Sequence, residues 1–297
     1  MNPDPEQVIF KLDSQILNSM DLCWERYNLE HIQNWRPAQK AAALERGSAF
    51  HRMVRYYYVE KRKGRAILGE HSKVVEEAAM VGRLYAAQSS MSMDDFDDDL
   101  RVFKEYILKW QYDGWEILDI EQPFTKVLYE SPFLKILYEG VVDMRIRDPK
   151  IGEAVVDHKT ESRKSYPYIL SNQFQGYEWA FDLPVIVNKV GYQTSLPADE
   201  KFRRLEHRSG AFAIEEWKKD TILTVMDAVE RHKTGVFPKN RTSCDKYSGC
   251  IFQRVCKVPP ETRPFKLQAY FYKADPWDPY ARDDDDVRED EAVKESA

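Results

Sequence analysis

The sequence predicts an α/β core with a helical N-terminal elaboration, on three observations. Over the first third of the 297 residues, apolar side chains recur at three-to-four spacing, the helical period. From Trp115 the rhythm changes to that of strands. Helical stretches then return between further strands, which is the layout of a sheet covered by helices.

Taken in order, residues 14–30, 38–62, 72–87 and 96–112 read as helices. "DDFDDDL" (residues 94–100) mixes N-cap and helix-start acids and carries no catalytic signal. "WEILDIEQPFTKVLY", "LKILYEGVVDMRIR" and "EAVVDHKT" read as strands, with turn chemistry at Asp148-Pro149 and Gly152 between the last two. A helix follows at 171–181, then strands near 184–194 and 202–208. A long amphipathic helix, 214–234, leads into a cysteine-bearing loop. The expected organisation is a helical part (1–113) carrying Cys23 and His51, a core (114–240), a cysteine segment (241–274) that packs back on the first helix, and an acidic tail (275–297). The insert at 64–113 reads either as a roof that admits a threaded strand or as a plain helical layer.

A hydrophobic fraction of 43% and a charged fraction of 32% describe an ordinary globular protein. No apolar run approaches the roughly 20 residues of a membrane helix, and "MNPDPEQVIF" lacks a secretory pattern, so the cytoplasm is the expected location. The net charge of −6 hides an asymmetry. Residues 275–297 hold ten acidic and three basic side chains, which leaves residues 1–274 at net +1. A like-charge run with few apolar residues reads as disordered, while the near-neutral body can still carry a basic groove. "EKRKGR" (60–65), "SRKS" (162–165) and "KFRR" (201–204) are candidate stretches for one.

The stretch "YEGVVDMRIRDPKIGEAVVDHKTES" (138–162) holds the chemistry. Residues two apart in a strand share a face, so Asp157 and Lys159 point together and the His158 side chain points away. Asp143 and Asp157 each lie seven residues from Lys150, and a symmetric hairpin would set them opposite one another, where like charges repel. A divalent cation removes the conflict. Two carboxylates and a backbone carbonyl, that of His158, suit Mg²⁺ or Mn²⁺, with Lys159 beside the metal to polarise a phosphate or position a water. The plainer alternative is a surface hairpin whose acids face solvent. Gln173 and Tyr177, four apart in "NQFQGYEWAF", share a helical face.

Four cysteines are present: Cys23, and Cys244, Cys250 and Cys256 in "SCDKYSGCIFQRVC". Three at five-residue gaps with one remote partner look like a four-thiolate metal set, either Zn²⁺ or an iron–sulfur cluster. Either would staple the first helix to the C-terminal segment.

Together "LNSMDLCWERY", "GSAFH", "GVVDMRI", "VVDHKT", "QFQGYEWA" and "GVFPKNRTSCDKYSGCIFQRVC" occur in an order that resembles the RecB-like branch of the PD-(D/E)XK nuclease superfamily. The likeness is to its iron–sulfur members: phage RecB-type exonucleases, the AddB nuclease domain and CRISPR-associated RecB-like exonucleases. It spans about residues 14–256. It implies a restriction-endonuclease-like core with a mixed central sheet flanked by helices. It also implies metal ligation by His51, Asp143, Asp157 and the carbonyl of His158, with Lys159 as the catalytic lysine. Gln173 and Tyr177 fit the family's QxxxY motif, which contacts DNA and supports the site. Glu121 falls where many relatives carry an acid on the preceding strand. By the same resemblance Cys23, Cys244, Cys250 and Cys256 would bind a [4Fe-4S] cluster. The five-residue gaps, where relatives carry C-x2-C, and "CWERY" in place of Cys-Pro leave the cluster type open.

The expected activity is a Mg²⁺- or Mn²⁺-dependent DNase acting at ends or on single strands, in repair, recombination or phage DNA processing. A helicase or recombination protein is a conceivable partner class. Tyr166, Tyr168 and Trp179 are candidate strand contacts or core aromatics. Two competing readings are a non-catalytic DNA-end-binding scaffold subunit and an RNA-directed or restriction-type nuclease.

Overall fold

The structure is a computed structural model and describes residues 7–66, 69–161, 168, 170–193, 196–246 and 249–281. Its centre is a six-stranded mixed sheet of β1 (Val8–Leu12), β3 (Glu116–Glu130), β4 (Leu134–Asp148), β5 (Gly152–Glu161), β6 (Val185–Gly191) and β7 (Phe202–His207). β4 pairs with β3 along one edge. Its other edge is shared: β1 runs parallel to residues 134–138, and β5 antiparallel to residues 144–148. β6 continues parallel to β5, and β7, entered from the one-turn helix α7 (Ala198–Lys201), closes antiparallel to β6. β1 is a strand that the helical reading of the N-terminal part did not anticipate, because five residues are too few for periodicity to register.

Helices cover both faces. On one, α3 (Ala42–Arg62), α4 (His71–Gln88) and α5 (Met93–Trp110) bury Phe50, Met53, Phe96, Phe103 and Tyr106 against Met144, Ile146 and Val156. On the other, α1 (Ser14–Leu22), α6 (Asn172–Phe181) and α8 (Ala211–Thr234) pack Leu17, Phe174 and Trp217 around Tyr138 and Val142. The N-cap of α5 is Ser92, which accepts from the Asp95 N–H, and not one of the acids of residues 94–100: Asp94 and Asp95 sit in the first turn, and Asp99 is fully buried on Arg46.

The stretch 14–30 is not one helix. α1 stops at Leu22, Cys23 is extended, and the chain restarts as α2 (Trp24–Tyr27) and a π-helical turn, Asn28–Ile32. The break turns the Cys23 thiol toward the C-terminal segment, where its sulfur accepts the Asn240 N–H at 3.3 Å. That segment carries α9 (Gln253–Cys256) and α10 (Arg263–Tyr270). It closes on the N-terminal part through a small core of Leu29, Phe252, Val255, Leu267 and Phe271. A ladder of β2 (Trp35–Pro37) with β8 (Phe271–Lys273) completes the joint. Among the described residues no helix is long and apolar enough to cross a membrane. Residues 282–297, most of the acidic tail, lie outside the described residues.

Candidate active site

The sheet's irregularity makes the site. The β4–β5 register is the one the sequence predicts, Met144 opposite Val156, but the ladder stops there, one pair short of Asp143 and Asp157. Beyond it, side chains replace strand pairing. The His158 N–H donates to Asp143 Oδ2 at 2.7 Å, and the Tyr177 hydroxyl donates to the Val141 carbonyl at 2.9 Å, on a stretch of β4 that neither β1 nor β5 pairs. On the β3 side, Glu121 falls between the pairs at Ile120 and Gln122 and takes a left-handed φ of 48°. A non-glycine residue in that region stores strain on the order of 1–3 kcal/mol and is concentrated at functional sites. Its carboxylate is engaged by Arg55 at 2.5 Å.

α3 brings His51 to this notch, its Nδ1 3.7 Å from Asp143 Oδ2. The His158 side chain reaches the same oxygen from the α3 side of the sheet, Nδ1 at 3.4 Å. On the α6 side, Lys159 Nζ lies 2.8 Å from Asp157 Oδ2, and Gln173 Nε2 donates to Asp157 Oδ1 and to the Tyr177 hydroxyl, each at 3.0 Å. The predicted sharing of a face by Gln173 and Tyr177 therefore has a use, which is to hold one carboxylate and the β4 backbone together.

The electrostatics differ between the two acids. Asp157 is 2% exposed, and burial first, then repulsion from Asp143, raises its pKa to about 6 against the pull of Lys159. Burial also pushes Asp143 upward, but His51, the hydrogen bonds from His158 and the charge of Lys159 outweigh it and hold the carboxyl well below the ordinary range. Burial works to lower Lys159, yet Asp157 and Asp143 keep its ammonium raised; the same burial lowers His158. His51, Asp143 and Lys159 stay between 29% and 38% exposed, so the site opens to solvent through them.

The donor set suits a hard or borderline divalent cation: two carboxylates, an imidazole and a strand carbonyl. Asp157 Oδ2 is buried in an ion pair with the Lys159 ammonium, 2.8 Å away, so this buried oxygen is already set against positive charge and has a lone pair that a divalent cation could take. Among the described residues, no three His, Cys, Asp or Glu side chains are yet drawn together as a metal-holding group. Residues lining the pocket come from α3, β3, β4 and β5, none from α4 or α5, so the 64–113 insert is here a helical layer behind the site.

Several expectations change with the coordinates. The basic stretches are largely engaged in ion pairs within the chain: Arg65 pairs with Glu60, Glu70 and Glu77, Lys201 with Glu105, Arg203 with Glu161 and Arg204 with Asp113. "SRKS" and Tyr166 lie outside the described residues. Trp179 packs on Tyr138 and Trp217 as a core aromatic, and Tyr168 meets Phe174 edge-on. Arg55 was missed, although it sits one helical turn after His51 in "HRMVR" and so shares its face.

A second candidate centre lies at the joint of the termini. Cys23, Cys244, Cys250 and Cys256 are free thiols lining one cavity of about 340 Å³, ringed by Arg26, Lys239, Arg241 and Lys257. Burial raises Cys250, and raises Cys256 to about 11. The cavity thus gathers the four cysteines, with Asp245 also in its lining, but among the described residues they are not drawn together as a metal-holding group.

A family model described as the PD-(D/E)XK nuclease superfamily matches residues 15–257. No curated protein matches the chain. Among solved structures, a Eubacterium rectale protein provisionally named an exonuclease aligns at 17% identity and a TM-score of 0.47, over 84% of this chain and 90% of its own. An alkaline exonuclease from Laribacter hongkongensis aligns at 12% identity and a TM-score of 0.29, over 57% and 86%.

Proposed function

The chain belongs to the PD-(D/E)XK nuclease superfamily, and on that premise we propose that it is a metal-dependent DNase that hydrolyses phosphodiester bonds at ends or in single strands. One observation carries the reading. Asp143, Asp157, Lys159 and His51 meet where β4 and β5 part, with Asp157 buried against the Lys159 ammonium and His51 beside Asp143. Lys159 and His51 offset part of the repulsion between the two acids, and a divalent cation between the carboxylates would offset the rest.

His51, Asp143, Asp157 and the His158 carbonyl would hold Mg²⁺ or Mn²⁺, which supplies positive charge against the phosphate and an acidified water. The rest of the work falls to the chain. Lys159, kept protonated by the carboxylates, is a donor for a phosphate oxygen or for the attacking water. Gln173 and Tyr177 lock Asp157 to β4, so the carboxylate keeps its orientation as charge develops. Balance requires one water added across one P–O bond, with the proton passing to solvent or to the leaving oxygen.

The four cysteines are proposed to hold a structural metal group, [4Fe-4S] by family resemblance with Zn²⁺ as the alternative; the shared cavity and its cationic rim support this. Roles in repair, recombination or phage DNA processing, and a helicase partner, remain proposals from the resemblance alone.

The test is degradation of end-labelled single- and double-stranded DNA and of RNA with Mg²⁺ or Mn²⁺, beside Asp157→Ala and Lys159→Ala. The expected loss is 10²-fold or more in each variant, on the order found when one transition-state donor is removed. Equal degradation by wild type and variants would mean a contaminating nuclease or a different site, and binding of DNA ends without cleavage would favour the scaffold reading.

A further inference from the structure

The reading above uses only the backbone of His158, yet its imidazole is 3% exposed and touches Asp143. Behind it lies a chain of polar groups inside the helical layer. Tyr106 of α5 places its hydroxyl 3.5 Å from His158 Nε2. Asn188 Nδ2 donates to that hydroxyl at 2.6 Å, and the Tyr58 hydroxyl of α3 lies 2.9 Å from it. Arg204 Nη2 donates to Tyr58 at 3.5 Å and to Asp113 at 2.8 Å. Its guanidinium is clamped between the rings of Trp110 and Trp115, at 3.9 and 3.5 Å.

Donor inventory gives this chain a direction. A guanidinium can only donate, so the Tyr58 oxygen accepts from Arg204, and donation of the Tyr58 proton to Tyr106 is the direction that leaves this buried hydroxyl's proton satisfied. Tyr106 then accepts twice, from Tyr58 and Asn188, which uses both lone pairs and leaves its proton for His158 Nε2. An imidazole that accepts at Nε2 carries its proton at Nδ1, the atom facing Asp143.

We propose that His158 is a positioning residue: its Nδ1–H, held in that tautomer by the Tyr106 hydroxyl, orients the Asp143 carboxylate for a divalent cation. The His158 N–H and Nδ1–H converge on the same oxygen, Oδ2, which leaves Oδ1 for a further ligand. This is the supporting shell that metal-binding carboxylates require. The chain also couples the site to α3, α5 and β7, elements that share no residue of the D…DxK pattern. The inference rests on the nuclease reading for the use of Asp143; the tautomer stands apart from it.

The experiment has two arms. In metal-free protein labelled with ¹⁵N-histidine, a slowly exchanging His158 Nδ1 proton, identified by its loss in His158→Asn, is expected to shift in Tyr106→Phe. In the second arm, Mn²⁺ affinity is measured by calorimetry. His158→Leu is expected to raise the Kd about 10–100-fold, whereas His158→Asn, whose amide can donate from the place of Nδ1, stays near wild type. kcat on DNA follows the Mn²⁺ affinity while KM for DNA holds. Tyr106→Phe, which removes one oxygen and keeps the core filled, keeps the second arm open if the leucine variant fails to fold, and it is expected to weaken Mn²⁺ binding by a smaller factor. Absence of the Nδ1 proton in the wild type, or leucine and asparagine variants that bind Mn²⁺ alike, overturns the inference. A wild type that has the proton but neither binds Mn²⁺ nor cleaves any nucleic acid overturns the nuclease reading instead and leaves the hydrogen-bond chain standing.

Discussion

Asp157 is a carboxylate nearly sealed from water whose pKa burial, above all, raises to about 6. In the unfolded chain it titrates near pH 4, so folding favours its protonated form. The stability it contributes is fully present below pH 4 and is lost as the pH rises through about 6. In EDTA at pH 7, Asp157→Asn is therefore expected to melt higher than wild type, by roughly 1–3 kcal/mol or a few degrees, and the gap is expected to close toward pH 4. Differential scanning calorimetry at the two pH values checks this; a gap that does not depend on pH would remove Asp157 as its source. The partner of this residue was legible, because a DxK spacing in a strand puts Lys159 on the same face. Arg55 and the left-handed Glu121 were not. The ion pair between them depends on where α3 crosses β3, which no local pattern encodes.

At the level of elements, α6 works as a clamp because of Gly176. A Cβ there would lie 2.1 Å from the Tyr138 hydroxyl of β4, and Tyr138 is a buried side chain with little room to retreat. The close approach lets Gln173 and Tyr177 reach Asp157 and Val141. Gly176→Ala is expected to cost about 1–3 kcal/mol by overpacking and to lower cleavage beyond what the stability loss explains. Melting curves and single-turnover rates, compared with an exposed glycine-to-alanine control at Gly210, would separate the two effects. The long helices α3, α4, α5, α6 and α8 and the strands β3 to β7 were legible from period alone, within about four residues at each end, whereas α9, α10 and the short strands β1, β2 and β8 were not. The break at Cys23 was not, since the extended Cys23 meets the Asn240 N–H, more than 200 positions away, and no local period encodes that contact.

For the molecule as a whole, the two ends of the chain are tied by protein contacts before any metal is considered. The Ser243 hydroxyl donates to the Leu22 carbonyl at 2.8 Å, β2 pairs with β8, and Leu29 packs into one core with Phe252, Val255 and Leu267. A thiolate-bound metal at the cavity would reinforce that joint, as binding to the folded state alone must. An anaerobic preparation is expected to be brown, with visible charge-transfer absorption, and to melt higher than the metal-free protein. Cys23→Ser is expected to lose both properties while the β-sheet circular dichroism persists. A colourless protein with one zinc would overturn the iron–sulfur assignment and keep the staple. Because burial holds Cys256 and Cys250 protonated, metal uptake must expel protons. Apparent Zn²⁺ affinity of the metal-free protein is expected to climb with pH, roughly tenfold per unit for each proton released, and competition with a chelator at pH 6.5 and 7.5 measures it.

By itself the sequence determined the alternation of helix and strand, the hairpin register that sets Asp143 toward Asp157, the shared face of Asp157 and Lys159, and the shared face of Gln173 and Tyr177, because all of these follow from periods of two and 3.6 residues and from spacing about a turn; that Gln173 and Tyr177 belong with the acids came from the family resemblance. Only the tertiary structure decided that β1 and β5 share one edge of β4, that the opening between them is filled by side chains, and that His158 is backed by Tyr106, Asn188, Tyr58 and Arg204. Those contacts join residues dozens to hundreds of positions apart. They exist because burying polar groups obliges each to find a partner, wherever in the chain that partner comes from.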